Sequence, residues 1–149
     1  ERVGPVLDYL GAHGYGTGLA AERRQQALMG LMQGFVDLTV EADGRYWIVD
    51  YKTNDLGPRA QDYQPDALAR AVRHGHYDLQ YLIYLVALHR HLARTLPGYD
   101  PARHLGGAQY LFLRGLNGTD ASTGVFVDRP HPEFIIGLDD RFAGRSSAA

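Results

Sequence analysis

The chain has 149 residues, a net charge of −2 and no cysteine, and 45% of its residues are hydrophobic against 21% charged. This length suits one globular domain, and the composition excludes extensive disorder, disulfides, thiolate metal sites and a cysteine nucleophile. No apolar run reaches the roughly 18 residues that a membrane span needs, and the charge alone does not indicate a nucleic-acid binder. The lack of cysteine and of a signal segment is typical of a cytoplasmic protein.

The beginning of the chain is expected to be poorly anchored. A short helical pattern gives way to four glycines within residues 11–18, which is typical of a flexible loop. The first residue is Glu rather than Met, so we expect a fragment of a longer protein. We therefore interpret residues 1–27 as a flexible remnant of a truncated upstream region and residues 28–149 as the folded domain.

Two strands joined by a tight turn are predicted next. Residues 35–41 alternate with a period of two, which indicates a strand. The pair Asp43-Gly44 follows it and precedes a second β-rich run at residues 46–52, and this is the strongest short-range signal for a hairpin. Residues 53–64 are interpreted as a polar loop.

The rest of the chain alternates between helical and strand patterns. The predicted elements are helices at 65–74 and 77–96, strands at 108–116 and 125–127, and a last helix at 132–143, before a frayed end at 144–149. The short strand at 125–127 is expected to pair back on its predecessor. This order predicts an α/β fold with a mixed β-sheet flanked by helices.

The hairpin brings together two aspartates and a lysine. With a two-residue turn at Asp43-Gly44, Asp37 lies opposite Asp50, with Cβ atoms about 5 Å apart. Like charges at that distance are destabilising, whereas a cation between the carboxylates would reverse the sign, and Mg²⁺ prefers carboxylate ligands. Lys52 lies two residues after Asp50 and projects from the same face.

Two alternatives remain open for this group at the level of sequence. A three-residue turn would pair Asp37 with Val49 and turn the faces over. Aspartates at strand ends are also common as loop-entry residues, and an Asp-x-Lys pair can be a surface ion pair.

The helix at 77–96 carries a polar stripe. Gln80 and Tyr84 are four residues apart and share a face, which Tyr77 joins. They either line a site beside the hairpin or form an exposed polar stripe, while Tyr81 is expected in the core. The histidines and arginines on the two helices are interpreted as solvated faces or, alternatively, as phosphate contacts. No P-loop motif is present.

Four segments carry a resemblance to a known family. They are LMQGFVDL, GRYWIVDYKTNDLG, HYDLQYLIYLVALHRHL and GGAQYLFLRG. In this order and spacing they resemble the PD-(D/E)xK nuclease superfamily and, within it, the RecB-type branch, which forms the C-terminal nuclease domains of RecBCD helicase-nucleases. The resemblance extends from about residue 28 to about residue 143.

The resemblance implies a restriction-endonuclease-like core and Mg²⁺-dependent hydrolysis of DNA phosphodiester bonds, with Mn²⁺ as a substitute. It implies that Asp37, Asp50 and the main-chain carbonyl of Tyr51 hold the metal. Lys52 would then orient the attacking water and stabilise charge on the phosphate. Gln80 and Tyr84 would complete the catalytic group from the motif helix.

The family also implies partners and one departure. The expected partners are single-stranded DNA and duplex ends, the RecC and RecD subunits of a parent complex, and the recombinase RecA. In this branch an upstream histidine also ligates the metal. The only histidine before Asp37 is His13, in the glycine-rich loop, so that ligand is expected to lie before Glu1. The competing hypothesis is a weakly active or inactive nuclease-fold module that serves as a protein-docking surface.

Overall fold

The structure, a computed structural model, describes residues 3–18, 20–31 and 36–145. Two helices precede the sheet, α1 (Val3–Ala12) and α2 (Ala21–Leu31). The remaining elements in chain order are β1 (Leu38–Ala42), β2 (Arg45–Lys52), α3 (Pro65–His74), α4 (Tyr77–Thr95), α5 (Pro101–His104), β3 (Leu105–Phe112), β4 (Val125–Asp128) and α6 (Pro132–Phe142). No helix in these ranges is long and apolar enough to cross a membrane.

Within the described ranges the four strands form one mixed sheet in the order β1-β2-β3-β4. The β1–β2 and β3–β4 pairs are antiparallel, whereas β2 and β3 run parallel. The long connection between the parallel strands contains α3 and α4, as a parallel crossover requires. The predicted α/β fold with a mixed sheet is confirmed, and so is the return of β4 onto β3.

The hairpin turn has two residues, as predicted. Asp43 and Gly44 have φ angles of 52° and 74°, and positive φ at both central positions is the geometry that suits a twisted hairpin. The register therefore pairs Ala42 with Arg45 and Leu38 with Val49. The alternative three-residue turn is wrong.

The helices cover one face of the sheet. Ile48, Asp50, Ala108, Tyr110 and Phe112 alternate along β2 and β3, and all are buried on this face. Helix α4 supplies nine buried residues, which pack against these strands and against α2, α3 and α6. On the opposite face of the sheet, large side chains are more exposed: Leu38, Tyr51 and Val127 have exposed fractions of 40%, 46% and 51%.

The expectation of a loose beginning is wrong for the described part of residues 1–27. Helix α1 buries Val6, Leu7 and Leu10 in the core, mainly against α6 and α2. Tyr9 stacks on Phe134 of α6 at a centroid distance of 5.2 Å. The glycine-rich loop is also anchored, because the amide of Gly16 donates a 2.8 Å hydrogen bond to buried Asp78. Residues 1, 2 and 19 lie outside the described residues.

Several boundaries differ from the sequence prediction. Strand β3 begins three residues early, at Leu105, and ends at Phe112, where a 3₁₀ turn begins. Only glycine fits at position 107 of this strand, because a side chain there would collide with the main-chain oxygen of Asp128. The short helix α5 was not predicted; Asp100 caps it by accepting a hydrogen bond from the amide of Ala102. Residues 32–35 and 146–149, and the predictions made for them, lie outside the described residues.

Candidate active site

The open end of the β1–β2 hairpin, opposite the Asp43-Gly44 turn, brings Asp37 and Asp50 together. Asp37 directly precedes β1, and continuing the observed register places it opposite Asp50. The main-chain amide of Tyr51 donates a 3.4 Å hydrogen bond to Oδ2 of Asp37. Asp50 is 5% exposed, whereas Asp37 is exposed to solvent. The pair therefore forms a site with one buried and one accessible carboxylate.

The two carboxylates shift each other's pKa in opposite directions. The neighbouring Asp50 carboxyl is the main cause that lowers the pKa of Asp37. Burial raises the pKa of Asp50, the Asp37 carboxyl raises it further, and the adjacent Lys52 lowers it. Asp50 is therefore the weaker acid of the two.

Lys52 joins the same group of side chains. Its Nζ lies 2.5 Å from Oδ2 of Asp50 and donates a 3.2 Å hydrogen bond to Oε1 of Gln80. The ammonium also lies 4.1 Å from the ring centroid of Tyr77 and 5.0 Å from that of Tyr110. Two aromatic faces, a carboxylate and an amide oxygen thus fix the position of the charge.

Helix α4 contributes Gln80 to this group of side chains and also carries Tyr84. Oε1 of Gln80 accepts hydrogen bonds from Lys52 and, at 2.6 Å, from the hydroxyl of Tyr110. Tyr84 is buried one turn further along the helix. Burial raises the pKa of Tyr84, the negative charges of Asp50 and Asp37 raise it further, and Gln80 lowers it.

The sequence did not single out Tyr110 or Asn54. Tyr110 lies in the middle of β3, fully buried, and its hydroxyl orients Gln80. The signal for it was a polar-tipped aromatic residue within a largely apolar strand. Asn54 donates a 3.1 Å hydrogen bond from its side chain to the Tyr77 hydroxyl and so supports the ring that faces Lys52.

Other side chains considered from the sequence lie elsewhere. His13 donates a hydrogen bond to the carbonyl of Tyr9, and its ring lies 4.8 Å from that of Phe134 in a tilted arrangement, at the α1–α6 contact. Tyr81 is buried, as predicted, and donates a hydrogen bond to Asp128. Arg90 forms an ion pair with Asp139 of α6, so its charge is neutralised within the protein.

The residues at the hairpin end fit a hard divalent cation. Buried Oδ2 of Asp50 forms an ion pair with Lys52 and has no hydrogen-bond partner among the described residues. Two carboxylates with oxygen donors nearby are the ligands that Mg²⁺ and Mn²⁺ prefer. Over residues 3–18, 20–31 and 36–145 no group of three His, Cys, Asp or Glu side chains is placed to hold a metal. Within these ranges, main-chain carbonyl oxygens would supply further protein ligands, beside water.

The fold and this site define a class of protein. A profile of the PD-(D/E)XK nuclease superfamily matches residues 11–143, and the chain belongs to that superfamily. The resemblance seen in the sequence, and the restriction-endonuclease-like core that it implied, are therefore confirmed.

The individual proteins that are similar to this chain point to one group within the superfamily. The chain is 49% identical over 117 residues to the RecBCD enzyme subunit RecB of Haemophilus influenzae, which covers 78% of this chain and 10% of that protein. It is 42% identical over 115 residues to RecB of Escherichia coli, covering 77% of this chain and 10% of the relative. With RecB of Mycobacterium tuberculosis it shares 40% identity over 147 residues, or 94% of this chain and 13% of the relative. The chain thus spans about a tenth of the length of these relatives.

Proposed function

We propose that this chain is the nuclease domain of a RecB-type subunit and hydrolyses phosphodiester bonds of DNA with Mg²⁺, or with Mn²⁺ in its place. The observation that supports this most directly is the meeting of Asp37, Asp50 and Lys52 at the end of one hairpin. An ordinary sheet would avoid two facing carboxylates, one of them buried, unless a cation compensated their charge.

Each residue has a distinct role in this proposal. Asp37 and Asp50 would hold the metal, with the main-chain carbonyl of Tyr51 as a further ligand. A bound Mg²⁺ supplies positive charge that offsets the negative charge growing on the phosphoryl oxygens. A cation binds the ionised carboxylates, so metal binding competes with protonation of the pair.

Lys52 would orient the attacking water and add a second positive charge beside the phosphate. The ammonium is already fixed by Gln80 and by two tyrosine rings, so little reorganisation is needed when charge develops. Gln80 and Tyr84 would act from the motif helix, Gln80 by holding Lys52 and Tyr84 by presenting its hydroxyl towards the carboxylates.

The relatives carry the name of a RecBCD subunit, and this supports a setting for the reaction. We propose that the domain works in the cytoplasm on single strands and duplex ends, delivered by a RecBCD-type helicase during the repair and recombination of double-strand breaks. RecC and RecD would be its partners in the complex, and RecA an additional contact.

Cleavage of DNA by this chain tests the proposal. A 5′-labelled single-stranded oligonucleotide is incubated with excess protein and Mg²⁺, Mn²⁺ or EDTA, and the products are resolved by length. The parent chain is compared with Asp50→Asn and with Asp100→Asn, a carboxylate that caps α5 away from the hairpin end.

We expect metal-dependent cleavage by the parent and the Asp100→Asn variant, and a loss of at least about 100-fold for Asp50→Asn. Cleavage that survives Asp50→Asn would contradict the site assignment. A parent chain without metal-dependent cleavage would contradict the catalytic proposal and favour the protein-docking module.

A further inference from the structure

Arg114 lies at the same end of the parallel strands β2 and β3 as the candidate active site. Because β2 and β3 run parallel, Lys52 pairs with Phe112, and both strands end together at this position. Arg114 follows two residues after Phe112. Its Nε donates a 2.8 Å hydrogen bond to the main-chain oxygen of Thr53, the residue directly after Lys52.

This hydrogen bond orients the guanidinium but leaves its charge available. An arginine has five N–H donors in a planar fork, and one contact through Nε leaves the two terminal nitrogens with four. Arg114 is exposed, and no described residue forms an ion pair with it. By contrast, Arg59, Arg90 and Arg145 each pair with an aspartate.

A guanidinium that is fixed in place, has no ion-pair partner among the described residues and lies beside the proposed nuclease site is suited to bind a phosphate group. Arginine presents a rigid fork that matches two phosphate oxygens, and it stays charged at all physiological pH values. Neighbouring strands are about 4.8 Å apart, so the main chain that leads to Arg114 lies one strand spacing from the main chain that carries Lys52.

We propose that Arg114 binds a phosphate of the DNA strand next to the one that is cleaved. This inference rests on the proposed nuclease function, since it assumes that DNA binds at this end of β2 and β3. Arg114 would act as a binding residue that sets the register of the strand. It would not take part in the bond cleavage itself.

A purely structural role would leave a different signature. If Arg114 only ties the residues after β2 to the end of β3, its replacement should lower the melting temperature without changing how DNA binding responds to salt. A phosphate contact releases a counterion, and each contact to a single strand contributes about 0.7 to the slope of log affinity against log salt concentration.

The experiment measures binding of a 5′-fluorescein oligothymidylate by anisotropy in EDTA, over a series of salt concentrations. The variants are Arg114→Gln, Arg114→Lys and the matched control Arg45→Gln. Arg45 also donates to a main-chain oxygen, that of Ala102, at 3.0 Å. It lies at the opposite end of β2, seven residues and about 23 Å from Lys52. Both glutamine variants remove one positive charge.

We expect Arg114→Gln to weaken binding about tenfold at low salt, as for loss of one charge-assisted hydrogen bond at an exposed position. Its salt slope should be about 0.7 shallower than that of the parent. Arg114→Lys should restore the slope but only part of the affinity, because lysine keeps the charge without the fork. Arg45→Gln should match the parent in both quantities.

Equal affinity and slope for Arg114→Gln and the parent would overturn the inference, and so would equal losses in the two glutamine variants. A parent chain that does not bind at low salt would also overturn it. The cleavage assay separates this result from the proposed function. Cleavage by the parent with unchanged binding by Arg114→Gln refutes only the phosphate contact. Arg114-dependent binding without metal-dependent cleavage refutes only the catalytic proposal.

Discussion

Oε1 of Gln80 accepts a hydrogen bond from Nζ of Lys52 at 3.2 Å, and this contact joins helix α4 to the end of strand β2. The same oxygen accepts from the hydroxyl of Tyr110 on β3. One amide thus connects three elements and fixes the ammonium beside Asp50. The position of the lysine charge therefore depends on the packing of the helix against the sheet.

Replacing Gln80 should impair catalysis far more than folding. Gln80→Met keeps the size of the side chain but removes the acceptor, so the ammonium is no longer held in place. A displacement of about 1 Å can cost roughly 100-fold in rate, and we expect a loss of about 10- to 100-fold in single-turnover cleavage. Tyr110→Phe, which removes only the hydroxyl that orients Gln80, should give a smaller loss.

Gln109→Met is the matched control for Gln80→Met, because Gln109 projects from the opposite face of β3. Its cleavage rate should equal that of the parent. If Gln80→Met cut DNA as fast as this control, the positioning role of Gln80 would be refuted.

The facing carboxylates should cost stability when no metal is bound. The pKa of Asp50 is raised in the folded protein, so the folded state resists ionisation of Asp50 and loses stability as pH rises through that raised value. We expect Asp50→Asn at pH 7.5 in EDTA to melt at the same temperature as the parent or a higher one. Lys52 keeps its contacts with Gln80 and the tyrosine rings in the variant.

Addition of Mg²⁺ should reverse the order of the melting temperatures. The parent should be stabilised by metal binding, whereas Asp50→Asn should not respond. Loss of several kcal/mol in the metal-free variant would instead show that Asp50 is a structural residue.

Much of this arrangement follows from local sequence signals. Asp43-Gly44 determines the turn length, and the turn length determines that Asp37 faces Asp50. Pro65 marks the start of α3, and the Pro97-Gly98 pair correctly indicated where α4 ends, to within one residue. Such signals act within a few residues, so they can be recognised in a single sequence.

The missed features depend on contacts that are distant in sequence. Four glycines obscured the anchoring of the first helix by Phe134 of α6 and of the loop after it by Asp78. The role of Tyr110 depends on a hydroxyl partner 30 residues away, and a strand pattern contains no information about it. The Thr53–Arg114 contact arises only because β2 and β3 pair in parallel.

Helix α1 is expected to be an integral part of the fold. Leu10 is 1% exposed, and Leu10→Ala should lower the free energy of unfolding by about 2–5 kcal/mol, as for other buried leucines. Met29→Ala on α2, where the side chain is 56% exposed, should change it by less than about 0.5 kcal/mol. Urea denaturation measures both values. A neutral Leu10→Ala variant would support the loosely anchored segment that the glycines suggested.

His89 should make the domain less stable in mild acid. Burial lowers the pKa of His89 in the folded protein below the usual value of 6.5. The unfolded chain therefore binds the proton more readily, so this contribution is complete above about pH 6.5 and is lost as pH falls below it. The difference in urea midpoint between pH 7.5 and pH 5.5 should be smaller for His89→Gln than for the parent.

His91→Gln provides the control, because His91 lies on the exposed side of the same helix. Its midpoints should change with pH as those of the parent do. An unchanged pH response in His89→Gln would show that His89 has the same proton affinity in both states.

The central claim is that Asp37 and Asp50 form a divalent-cation site, and anomalous diffraction from crystals soaked in Mn²⁺ tests it most directly. We expect an anomalous peak between the two carboxylates, within about 2.0–2.4 Å of an oxygen of each. The peak should be absent from crystals of Asp50→Asn treated in the same way. A peak elsewhere with none between these aspartates, or an undiminished peak in the variant, would contradict the account.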